Sequence, residues 1–185
     1  MNYGELEKWH KENANCEEKC MFNVIEKILY YHNLDKKSTM FYPRKVLTSK
    51  KERIEFDLLI SYRDNRERII GIEFKEMDFQ KAVFQAIVRR NFLDYIYVAI
   101  QEPINRFEIP DLFLVTYYGI GLIVWSDKNA LLVLKSKMHH PDPNRMEELL
   151  DCVLKERLKR IFTKQEQIKT LRNWLDNIKR GGKVK

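Results

Sequence analysis

Two apolar stretches around one polar segment constrain this chain more than any other feature. Arg53 to Tyr62 reads R-I-E-F-D-L-L-I-S-Y, and Arg68 to Lys75 reads R-I-I-G-I-E-F-K. Between them lie Arg63, Asp64, Asn65, Arg66 and Glu67, the composition of a turn. Successive side chains of a strand point to opposite faces. Ile54, Phe56, Leu58 and Ile60 therefore share one face, and Glu55, Asp57, Leu59 and Ser61 the other. In the second stretch Ile70, Ile72 and Phe74 share a face, opposite Ile69, Gly71, Glu73 and Lys75. Two such strands joined by a polar turn predict an antiparallel hairpin. A hairpin centred on Asn65 sets Asp57 opposite Glu73, about 5 Å across the ladder. Lys75, two residues beyond Glu73, falls on the same face.

An isolated Glu-x-Lys on a strand is ordinarily a solvated pair worth well under ~1 kcal/mol. Here it is embedded in apolar strands and opposed by an aspartate. Two carboxylates suit a hard cation, Mg²⁺ or Mn²⁺, which takes few protein ligands and leaves positions for phosphate oxygens and water. Such an ion activates water and stabilises charge on a phosphate. A nearby lysine orients that water or neutralises the developing charge. These are the parts that metal-dependent hydrolysis of a phosphodiester needs. A glycosidase also uses two carboxylates but has no need of the lysine.

Elsewhere the periodicities predict an α/β protein. Met21, Val24, Ile25, Ile28 and Leu29 recur at helical spacing and predict a helix from about Asn13 to His32. Met40 to Leu47 is a short strand that Pro43 suits to a sheet edge. Asp78 is placed to cap a helix running to about Leu93, with Phe79, Val83, Ile87 and Val88 among its apolar positions. Tyr95 to Ile100 reads as a buried strand, and the intervening helix makes a parallel crossover. Pro103 and Pro110 mark a loop; Gly121 to Ser126 and Leu131 to Ser136 read as two further strands. Asp142-Pro143 is a helix start, and Thr163 to Glu166 a capping box for a second helix that ends at Gly181-Gly182. The expected organisation is a core over 1–140 and a basic αα-hairpin over 141–185.

The order helix, hairpin, helix, strand, together with F-D-L-L-I and G-I-E-F-K, resembles the PD-(D/E)XK nuclease superfamily over about Asn13 to Ile100. Archaeal Holliday-junction resolvases are among its members. Phe56 stands where the family name has proline, a frequent departure. The resemblance implies a restriction-endonuclease-like mixed sheet flanked by helices. It implies Asp57 and Glu73 as metal ligands and Lys75 as the catalytic lysine. Many members also carry a glutamate at the sheet-facing edge of the first helix. Glu17 and Glu18 both fit, with a slight lean to Glu17. Several groups place a glutamine where Gln85 stands. Arg89 and Arg90 follow on the same helix and are candidate phosphate contacts.

Charge leaves two readings open, contact with a polyanion, nucleic acid first, or a solvated helix face. The net charge is +7, and residues 155–185 hold eleven Lys/Arg against three acids, which is +8. Lys159, Arg160, Lys164 and Arg172 are the candidate nucleic-acid contacts there, DNA being favoured over RNA. The apolar stripe of the same hairpin makes a homodimer an expectation. No apolar run is long enough for a bilayer and no h-region opens the chain, so a cytoplasmic protein without a membrane partner is expected. Cys16 and Cys20 share a predicted helix face, and a zinc site would need His139 and His140 as distant ligands; the spacing of structural zinc sites is absent. His10, His32, His139 and His140 read as surface residues. Two rivals to an enzyme remain: a nuclease-fold protein that binds nucleic acid without turnover, and an unrelated α/β interaction protein.

Overall fold

The computed structural model describes residues 1–48, 53–101, 109–153, 155, 163, 165 and 169. The chain divides into two compact units, Met1–Met146 and Glu147–Lys185. The second is helical at every position described. Lys159, Arg160, Lys164 and Arg172 lie outside the described residues, as does the predicted second helix of the hairpin apart from residues 163, 165 and 169, and with it the expected dimer stripe.

The first unit is α/β, a six-stranded mixed sheet flanked by helices, with the strands in chain order. They are β1 (Met40–Thr48), β2 (Arg53–Arg63), β3 (Glu67–Lys75), β4 (Tyr95–Gln101), β5 (Gly121–Trp125) and β6 (Ala130–Leu134). β1, β2 and β3 are antiparallel; β3, β4 and β5 run parallel; β6 returns antiparallel. α3 (Phe79–Arg89) crosses from β3 to β4, as the predicted parallel unit requires. Its capping acid is Asp78, which accepts the Lys81 N–H at 3.0 Å.

The N-terminal segment departs from the single predicted helix. α1 (Tyr3–Asn13) comes first, then a 3-10 turn (Cys16–Glu18), then α2 (Met21–Tyr31). Asn2 with Glu5 and Asn15 with Glu18 form reciprocal capping boxes, and the second starts a new element where one helix was expected. α1 buries only Leu6, too little apolar signal to show in the periodicity. The loop expected around Pro110 is likewise the first turn of α4 (Ile109–Tyr117), where a residue without an N–H breaks no helical bond.

One face of the sheet packs on α2 through Leu58, Ile60, Ile70, Ile72, Phe74 and Tyr97. The other carries α3 over β3 and β4. A side chain at Gly71 would collide with Leu93, so glycine lets the chain after α3 close onto β3. His32 is not a surface residue: its Nε2 lies 2.9 Å from the Tyr97 hydroxyl. The rings of Tyr62, Tyr95 and Tyr97 surround it, and burial lowers its pKa to about 4. His10 bonds the Glu18 carbonyl at 2.8 Å, and His139 is partly buried. No helix among the described residues is long and apolar enough to cross a membrane.

Candidate active site

The hairpin has the register its sequence requires. Leu58 pairs with Ile72 and Leu59 with Gly71, so Asp57 and Glu73 come next in the same register. There a side chain replaces the backbone ladder: Asp57 Oδ2 accepts the Phe74 N–H at 2.8 Å. The strict alternation of β2 also breaks at this point. Leu58 and Ile60 join the cluster under α2, whereas Phe56 meets Phe92, just after α3, edge to face at 6.1 Å. Burial pushes the Asp57 carboxyl up, against the pull of the Phe74 N–H, Lys75 and Arg89.

Glu73 is fully buried. Its Oε2 receives the Arg89 guanidinium from α3, and its Oε1 has no hydrogen-bond partner. Burial first, then the Asp57 charge, raises its pKa well above its ordinary value, while Arg89 and Lys75 oppose the rise. Lys75 donates to Glu17 Oε2 and to the Phe74 carbonyl, each at 2.8 Å.

Of the two adjacent acids, the structure brings Glu17 to the site and not Glu18. Glu18 is buried and held by Arg44 at two points, Nε to Oε1 at 3.1 Å and Nη2 to Oε2 at 2.6 Å. It also caps the Asn15 N–H at 3.1 Å. Arg44 reaches it from β1 with a left-handed backbone, φ 44°, which is uncommon for a residue with a Cβ. Consecutive side chains of a helical turn point in different directions, so the two acids reach different partners.

Arg89 is not an open phosphate contact in this structure. Arg89 is 9% exposed and paired with Glu73. The Arg90 guanidinium lies over the Tyr118 ring, 4.4 Å from its centroid. The buried side of α3 is Phe79, Ala82, Val83, Ala86 and Arg89, and Val88 is exposed. Counting the alanines into the stripe puts Arg89 on it, so the signal was in the sequence. Gln85, one turn before Arg89, has a buried Oε1 without a hydrogen-bond partner. Asp94, fully buried, was also missed; it holds Arg66, Arg68 and the Ile69 N–H where β4 begins, and its role is to tie β3 to β4.

Among the described residues no group of three or more His, Cys, Asp or Glu side chains gathers to hold a metal. Zinc finds no set: Cys20 Sγ points to the Ser126 carbonyl at 2.9 Å and Cys16 is exposed. Asp57 and Glu73 are a two-carboxylate donor set, which suits Mg²⁺ or Mn²⁺, and the unpartnered Glu73 Oε1 is a buried acceptor fit for a cation. A cavity of about 320 Å³ lies elsewhere, lined by Asn23, Glu26, Lys27, Tyr30 and Asn129.

No protein-family model matches the chain, and no curated protein matches it. A solved structure shares the fold: a protein of unknown function, SPO1766 from Silicibacter pomeroyi, with a TM-score of 0.54 and 15% identity. The match covers 84% of this chain and 94% of that one. At that identity the likeness is one of fold, and it brings no activity with it.

Proposed function

We propose that this chain is a Mg²⁺- or Mn²⁺-dependent nuclease of the PD-(D/E)XK, restriction-endonuclease-like kind, acting on DNA in preference to RNA. The observation that supports this reading best is the grouping of Asp57, Glu73, Lys75 and Glu17 at one end of the β2–β3 hairpin. The element order from α2 through the hairpin and α3 to the parallel β4 also agrees with that fold.

Asp57 and Glu73 would hold the cation, which supplies positive charge against the phosphate and makes water a better nucleophile when bound. The Phe74 N–H holds one oxygen of the Asp57 carboxylate for this. Lys75 carries three N–H donors. Two go to Glu17 and the Phe74 carbonyl, which aims the ammonium and leaves the third for the phosphate or the attacking water. Glu17 thus acts as a positioning residue for Lys75.

Labelled junction, flap, duplex, single-stranded DNA and RNA, each with Mg²⁺ or Mn²⁺, test the reading. Cleavage that Asp57→Asn removes is the expected result. Binding without turnover of any substrate would instead make this a nuclease-fold nucleic-acid-binding protein, and absence of both would reject the proposal.

A further inference from the structure

Glu73 occupies an electrostatically demanding position. Its carboxylate is fully buried, with Oε2 on Arg89 and Oε1 unpartnered. Arg89 is itself nearly buried, its guanidinium 5.9 Å from the Phe56 ring centroid. Lys75, the neighbouring cation, is committed to Glu17 and the Phe74 carbonyl. Arg89 is therefore the group that balances Glu73. Removing one member of such a pair leaves an uncompensated charge in a poorly solvated place.

The same pairing conflicts with a cation on Asp57 and Glu73. A divalent ion there would face the Arg89 guanidinium at close range, and like charges in a low-dielectric site repel strongly. Gln85 offers a way out. It precedes Arg89 by one helical turn, so the two side chains are neighbours on the α3 surface. Its Oε1 is a buried acceptor without a partner. A guanidinium on a long flexible stem can move from one acceptor to the other without moving the helix.

Resting on the reading of Asp57 and Glu73 as cation ligands, we propose that Arg89 is a displaceable internal counter-ion. It neutralises Glu73 while no cation is bound, and moves to Gln85 Oε1 when a divalent cation takes the two carboxylates. The site is thereby kept folded and closed in the absence of metal, and metal binding is opposed by the strength of the Glu73–Arg89 pair.

The test is thermal denaturation of the full chain with and without saturating Mg²⁺, beside calorimetric Mg²⁺ titration. Arg89→Met removes the charge and keeps an apolar stem for Phe56. Its Tm should fall without Mg²⁺ and recover with it, so that the Mg²⁺-induced rise exceeds that of the unmodified protein by roughly 5 °C. Adding Glu73→Gln to Arg89→Met should restore Tm without metal and abolish the Mg²⁺ effect. Gln85→Met should leave the metal-free Tm unlowered yet weaken Mg²⁺ binding several-fold. If Arg89→Met is unfolded without metal, Mg²⁺ should refold it. A Mg²⁺-induced rise in Arg89→Met no larger than in the unmodified protein, or failure of Mg²⁺ to refold it, overturns the proposal, provided the unmodified protein binds Mg²⁺. Absence of Mg²⁺ and Mn²⁺ binding by the unmodified protein overturns the cation-site reading itself, and the two failures are told apart by that one titration.

Discussion

The Lys75 ammonium lies 2.8 Å from the Glu17 carboxylate, a contact between residues 58 positions apart. It ties the 3-10 turn before α2 to the end of β3, and its neighbour Glu18 turns instead to Arg44. Adjacent acids thus have separable duties. Glu17→Gln should slow single-turnover cleavage by roughly tenfold, about 1.4 kcal/mol of barrier, with little change in Tm. Glu18→Gln should cost about 2 kcal/mol of stability in urea denaturation, less than a fully buried pair because Arg44 is partly exposed, with the rate nearly unchanged. The reverse pattern would exchange the two assignments.

Asp57→Asn should reduce turnover with Mg²⁺ by roughly 100- to 1000-fold. Asparagine keeps an oxygen for the Phe74 N–H, so the hairpin and its Tm should survive, and a gel shift in Ca²⁺ should show substrate binding retained. Undiminished cleavage by this variant would remove Asp57 from the site.

His32 predicts an acid weakness far from the chemistry. Burial lowers its pKa from the usual 6.5 to about 4. Between those values the unfolded chain takes up a proton that the folded chain refuses, so stability is lost as pH falls through that window. The loss should reach about 2 kcal/mol after discounting for partial exposure. His32→Phe should abolish this part of the pH dependence of the urea midpoint. An unchanged slope between pH 6.5 and 4 would mean that His32 titrates normally.

The C-terminal charge makes a prediction about salt. Each cation that neutralises a duplex phosphate adds about 0.9 to the slope of log affinity against log salt. Changing Lys159, Arg160, Lys164 and Arg172 to Gln should weaken DNA binding and flatten that slope equally across sequences, because phosphate contacts carry no base information. Saturating substrate should restore much of the rate. Circular dichroism and sedimentation serve as controls for helix content and assembly. Unchanged affinity and slope in a folded variant would make this segment a solvated surface.

What the sequence determined by itself is local. A period of two on either side of one polar turn dictates the hairpin, and hairpin symmetry about Asn65 dictates that Asp57 and Glu73 follow Leu58 and Ile72 in register, with Lys75 beside them. The crossover from β3 through α3 to a parallel β4 is legible for the same reason: each element buries a stripe that its own residues define. The N-terminal segment was less legible, because α1 is too polar to show a stripe and Asn15 starts a new element that periodicity does not register. Tertiary structure alone decided the partners. Glu17 rather than Glu18 meets Lys75 because the 3-10 turn rotates one acid toward β3 and the other toward β1. Arg89 meets Glu73, 16 positions earlier, because α3 lies on that face of the sheet with its alanines inward. The Phe74 N–H is free for Asp57 because the backbone ladder between β2 and β3 stops at Leu58 and Ile72. Contacts within a hairpin follow from chain geometry over a few residues. Contacts between elements depend on how helices are rotated and seated, which packing of the whole core selects.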